Sequence, residues 1–150
     1  MGEIKQAGLR DLPEIALLKF AMFTEVGMNH ILRDDFLLAV EKTYLSLYAE
    51  EKAIHFVIRK NNVIIACAGA FLKEDIPYCF YRNSEYGFIG DVYVHPDFRK
   101  KGYARSLTNA ALDWFAEKGI QTIRLLASDQ AKPLYESMGF KGTDQMMLNR

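Results

Sequence analysis

The chain has 150 residues, 50% of them hydrophobic, with 19 basic side chains against 19 acidic ones. That is the size and apolar content of one compact domain with a full core, so a single domain over residues 1–150 is expected. Zero net charge leaves no overall attraction for a polyanion such as nucleic acid, and no apolar run reaches signal-peptide or membrane-spanning length; a soluble, cytoplasmic protein is the expectation.

Residues 3–7 read as a short edge strand. Asp11 followed three residues later by Glu14, with Pro13 in the first turn, predicts a capped helix that carries Ile15, Leu18, Met22 and Val26 on one face and stops near Gly27. A second helix fits residues 35–50, where Phe36, Val40, Tyr44, Leu47 and Tyr48 recur at helical spacing. Then the period changes. Residues 53–60 and 63–71 are rich in β-branched and aromatic side chains, and Asn61-Asn62 between them tolerates the positive φ of a tight hairpin. Residues 72–86, with Pro77, Tyr78, Tyr81 and Tyr86 among charges, read as a loop over a binding cleft.

Residues 88–94 form the next predicted strand, stopped by His95-Pro96. From Gly102 to Lys118 a helix aligns Ala104, Leu107, Ala111, Trp114 and Phe115, with Gly119 as its stop. Another strand spans 122–127. Ser128 or Asp129 caps a short last helix holding Ala131, Leu134, Tyr135 and Met138, with Pro133 in its first turn and Gly139 at its end. Residues 140–149 are expected to fold back as a closing pair of strands. The order defines an α/β (α+β) domain, a sheet with flanking helices. Cys67 and Cys79 have no partners at metal-ligand spacing and read as reduced packing residues; no metal site is expected.

The segment Arg99-Lys100-Lys101-Gly102-Tyr103-Ala104-Arg105 places four cations around a glycine where a strand gives way to a helix. Helix N-termini carry unpaired N–H groups and partial positive charge, so phosphates bind there when the backbone can be approached, as Gly102 permits. A diphosphate-bearing ligand is the natural guest, the alternative being a solvated basic helix start. The glycine spacings of nucleoside triphosphate and dinucleotide loops are missing.

Residues 92–104, followed by Leu125-Leu126-Ala127-Ser128 and by Leu134-Tyr135-Glu136-Ser137-Met138-Gly139-Phe140, closely resemble the GNAT acetyltransferase superfamily. Arg99, Gly102 and Ala104 satisfy its pyrophosphate loop, (Arg/Gln)-x-x-Gly-x-(Gly/Ala). Leu134, Tyr135, Gly139 and Phe140 satisfy its Leu-Tyr-x-x-x-Gly-Phe ending. The resemblance covers about residues 86–150, leaving 1–85 to contribute the acceptor side. It implies a mixed, mostly antiparallel sheet whose strands splay at a CoA site. It also implies that acetyl-CoA rests its diphosphate on residues 100–105 and pairs its pantetheine arm with Val92, Tyr93 and Val94. Ser128 stands where the family often has an asparagine, which leaves the usual pantetheine contact open.

The activity so implied is N-acetyl transfer from acetyl-CoA to a primary amine, small or peptidic; the alternative is a non-catalytic acyl-CoA-binding module. Tyr135 is the candidate acid for the leaving thiolate, since a phenol (pKa roughly 10) can protonate a thiolate (roughly 8.5) late in the step; its other reading is ring packing on the sheet. Asp91, a carboxylate within an apolar strand, is the first candidate for general base, with Glu25 and His95 behind it. Glu25 and Tyr81 are candidates for the acceptor side, where acidic and aromatic residues suit a cation. Members of the superfamily often pair, so a homodimer is a further expectation.

Overall fold

The computed structural model describes residues 2–77 and 83–150. One sheet holds five strands in chain order: β1 (Ile4–Gln6), β2 (Ala53–Lys60), β3 (Val63–Glu74), β4 (Glu85–Val94) and β5 (Ile123–Leu125). The first four pair antiparallel and β5 runs parallel to β4, which is the mixed sheet the sequence implied. Asn61 and Asn62 both sit at positive φ, 53° and 63°, and make the tight turn between β2 and β3.

Helices cover both faces. On one, α3 (Tyr103–Glu117) presses Leu107, Ala111 and Phe115, all fully buried, onto Phe56, Ile58 and Ile89. Burying side chains of this size contributes about 1.5–3 kcal/mol each, which holds the start of α3 firmly against the sheet. On the other face α1 (Leu12–Glu25) and α2 (Phe36–Ala49) pack Leu12, Ile15 and Tyr44 on Val57, Cys67 and Phe71. A last short helix, α4 (Lys132–Ser137), follows β5.

Three expectations need correction. Asp11 and Glu14 form no capping box for α1: Asp11 accepts the Gly8 N–H and pairs with Arg59, while Glu14 accepts the Ile64 N–H at 2.7 Å. Both carboxylates fasten the helix start to the sheet instead. The strand expected at 122–127 is only β5, three residues long. Residues 140–149 form no closing strands, because β5 offers only a three-residue edge to pair with: Phe140 packs on Tyr135, Gln145 accepts from Arg124, and Met146 and Leu148 are exposed.

Gly87 lies where β4 meets β5, and a Cβ there would come within 2.7–2.9 Å of the Phe115 ring. That ring is fully buried and cannot swing away. Gly87→Ala should therefore cost about 1–3 kcal/mol by overpacking, read as a lower denaturant midpoint; an unchanged midpoint would show that α3 floats on the sheet.

Candidate active site

The site forms because β4 outruns β5. Gly87, Phe88 and Ile89 pair with Ile123, Arg124 and Leu125, and beyond Ile89 the two strands share no further pairs. On its other side β4 stays paired to β3 as far as Val94. The His95 N–H turns to Ile65 O at 2.8 Å on the β3 side. Strand alternation then turns the N–H and C=O groups of Val94 and Val92 the other way, into the gap left by β5. This is an open backbone edge suited to an amide-containing chain.

A bulge sets where that edge lies. Gly90 faces Gly69 and Tyr93 faces Cys67, so Asp91 and Val92 together oppose Ala68, and Asp91 takes φ +56°. Positive φ is uncommon outside glycine, and Asp is among the residues that tolerate it. Val92 and Val94 pack toward α3, whereas Asp91 and Tyr93 turn toward α1 and α2.

Past β4, Lys100 (φ +64°) and Gly102 (φ +82°) bend the chain into α3. Only Ser106 reaches back, to Gly102 O at 3.1 Å; the N–H groups from Lys100 to Arg105 have no acceptor among the described residues. A Cβ at Gly102 would meet nothing within 4 Å, so its backbone is open to a ligand. Lys100 and Lys101 are exposed, while Tyr103 is buried in the core and Ala104 is half-buried. The two arginines are engaged. Arg105 donates to Ser137 Oγ at 2.7 Å, tying α3 to α4. Arg99 donates to Val94 O at 2.9 Å and to Glu25 Oε2 at 2.7 Å, and its guanidinium lies over the Tyr93 ring. The lysines and the amides, rather than Arg99, are thus the free anion donors of the loop.

Tyr135 is 6% exposed and packs edge-on to Phe140. Burial pushes its phenol pKa up, opposed in part by the adjoining Thr108 hydroxyl. The two are not aligned as a hydrogen bond, and Thr108 Oγ1 is buried without a partner among the described residues. Ser128 is exposed after β5 and accepts the Ala131 N–H at 3.2 Å, so it serves as a turn cap before α4.

Asp91 holds a different place from the one its sequence setting suggested. Its carboxylate bonds Lys19, the Tyr44 hydroxyl at 2.5 Å and His55 Nε2 at 2.9 Å. Tyr48 closes the cluster on His55 Nδ1 at 2.8 Å, and Cys67 Sγ donates to the Asp91 carbonyl at 3.1 Å. Burial alone would raise the Asp91 pKa, but the His55 hydrogen bond and the Lys19 ammonium outweigh it and hold the carboxyl well below its ordinary range. A carboxylate saturated with donors is a poor proton acceptor; here it anchors the bulge. His95 is exposed and accepts the Asp97 N–H on Nδ1. Glu25, expected on the acceptor side, is clasped to the loop through Arg99. Tyr81, and with it Tyr78 and Cys79, lies outside the described residues.

Lys19, Tyr44, Tyr48 and His55 were not read as site residues, because Tyr44 and Tyr48 fit the apolar helical stripe of α2. The available signals were a histidine inside an otherwise apolar strand and a lysine four residues after Ile15 on the buried side of α1. Beside this cluster α1, α2, β3 and β4 enclose a cleft of about 460 Å³. Among the described residues no group of His, Cys, Asp or Glu is arranged to hold a metal ion, and no helix is long and apolar enough to cross a membrane.

An open strand edge and a donor-rich helix start suit an amide-bearing diphosphate, and the cleft lies beside them on the α1 and α2 side of β4. The model of the Acetyltransferase (GNAT) family matches residues 26–140, and the chain belongs to that family. A GCN5-related N-acetyltransferase from Ralstonia eutropha is similar at 28% identity and TM-score 0.84, over 100% of this chain and 99% of that one. A predicted acetyltransferase from Clostridium acetobutylicum, solved with acetyl-CoA, shares the fold at TM-score 0.91 and 21% identity, over 100% of this chain and 96% of that one. A UPF0039 protein of Schizosaccharomyces pombe is 44% identical over 55 residues, which are 35% of this chain and 37% of that protein.

The Asp91 anchor carries a pH signature. Because its folded pKa is depressed, its stabilisation is complete above the unfolded value, about 4, and is lost as pH falls through the folded value. Asn also tolerates positive φ, so Asp91→Asn removes charge with little backbone strain. It should cost about 3–5 kcal/mol at pH 7, the gap from the parent narrowing as the pH drops below about 4. Denaturant titrations at pH 7 and pH 2.5 check this; a gap of equal size at both would remove the charge argument.

Proposed function

We propose that this protein transfers the acetyl group of acetyl-CoA to a primary amine, by direct attack within a ternary complex. The observation that carries the reading is the β4 edge that β5 leaves open from Val92 to the Val94 N–H, set beside a helix start whose N–H groups from Lys100 to Arg105 have no acceptor among the described residues. The likeness to a protein solved with acetyl-CoA supports that donor. The diphosphate takes the loop amides with Lys100 and Lys101, and the pantetheine amides pair with Val92 and Val94 as an added half-strand.

The amine nitrogen then attacks the thioester carbon, and the carbonyl oxygen gains charge near the Val94 N–H or its neighbour. As the C–S bond breaks, Tyr135 gives its proton to the departing sulfur. At neutral pH the phenol is protonated, and the desolvation that raises its pKa also strengthens its demand for the proton, so the transfer comes late, when the sulfur carries most of its charge. The amine proton leaves to water, and water restores the phenol. Asp91 is not the base of this scheme, for Lys19, Tyr44 and His55 already donate to its carboxylate and stabilise its charged form.

Thiol release from acetyl-CoA across a set of amines tests the activity directly. Tyr135→Phe should lower kcat by about 10²-fold or more while leaving the KM for acetyl-CoA unchanged, the signature of an acid used only in the transition state. An unchanged kcat would assign the ring to packing. Gly102→Val should act oppositely, raising the KM for acetyl-CoA, since a β-branched residue is strained at φ +82° and its side chain fills the open space over the loop amides. Tight CoA binding without release by any amine would favour the binding-module alternative.

A further inference from the structure

The cleft beside the bulge has a charge pattern that speaks to its guest. Among the described residues its lining contains three cations, Lys19, Arg33 and Lys73, against one carboxylate, Asp91. The three are not equivalent. Lys19 pairs with Asp91, and Arg33 is forked onto Asp35, outside the lining. Lys73 has no carboxylate within ion-pair distance among the described residues, and residues 78–82, outside the description, contain no acidic residue. Its ammonium rests 4.2 Å from the centre of the Phe88 ring, on the cleft wall. Most of the remaining wall is apolar, including Phe36, Val40 and Phe71.

Phe88 precedes Gly90 by two residues on β4, about 7 Å along the strand. Gly90 and Asp91 mark the end of the cleft at the gap where acetyl transfer would occur. Lys73 therefore presents a positive charge without an ion-pair partner among the described residues over Phe88, the residue two positions before Gly90, across an apolar floor. We infer that the acceptor is a primary amine carrying an anionic group, carboxylate or phosphate, several bonds from its nitrogen, and that Lys73 selects it. The inference rests on the acetyltransferase reading above and adds the substrate class. A second cation at the far end would instead meet Lys73 and be repelled.

Three acceptors of one skeleton isolate the effect: 6-aminohexanoate, hexylamine and 1,6-diaminohexane present an anionic, a neutral and a cationic far end. The intact protein with saturating acetyl-CoA should show kcat/KM falling in that order, by about tenfold at each step, through KM rather than kcat. 3-Aminopropyl phosphate, set beside the carboxylate, tells which anion the site prefers. Lys73→Met should bring 6-aminohexanoate and hexylamine to within about twofold, and Lys73→Glu should favour the diamine, both at an unchanged KM for acetyl-CoA. Equal rates for all three acceptors, a preference for the diamine in the parent protein, or an order indifferent to Lys73→Glu would overturn the inference while leaving the transferase reading intact. Absence of thiol release with every amine tried would remove that reading, and the substrate class with it.

Discussion

The buried cluster around Asp91 is the constraint on which the site depends. A residue other than glycine at φ +56° in mid-strand is held there only if its surroundings over-determine it. Lys19 from α1, Tyr44 from α2 and His55 from β2 converge on one carboxylate and supply that hold. The bulge thus anchored lets β4 carry Val92 and Val94 toward α3 and Tyr93 toward α1. It also falls just where β5 stops following β4. One part-buried ion pair with its hydrogen bonds accordingly sets the geometry of the edge that follows it at Val92 and Val94.

The two faces of the sheet do different work. The α3 face is almost wholly apolar, and its rigidity fixes the N–H groups at the start of that helix relative to the β4 edge. Preorganised donors of this kind need no rearrangement when charge arrives. The α1 and α2 face contains the polar cluster and opens into the cleft. In the proposed reading donor recognition rests on backbone held by core packing, and acceptor recognition on side chains, which can vary without disturbing the sheet.

Periodicity and turn chemistry made most of this arrangement legible in the sequence. The stripe of Leu107, Ala111 and Phe115, the Asn61-Asn62 turn and Gly102 each act locally, and each lies where local rules placed it. The Asp91 cluster was hidden because it joins residues 36 to 72 positions apart, and nothing at Lys19 or His55 names its partner. The same holds for Arg99. Its position in the loop motif suggests a hand on the diphosphate, while the tertiary structure gives its fork to Glu25 and Val94. The tail failed for another reason: residues 140–149 contain suitable apolar residues, but a strand exists only through its partner, and β5 pairs over just three residues.

The Arg99 clasp has a mechanical side. One guanidinium bonds the carbonyl at the end of β4 and the carboxylate of Glu25, the last residue of α1, the helix that also supplies Lys19 to the cleft. Outward movement of the end of α1 must break this bond or drag the basic loop with it. The end of α1 and the end of β4 are thus tied near the surface by one arginine, as Lys19 and Asp91 tie them deeper in.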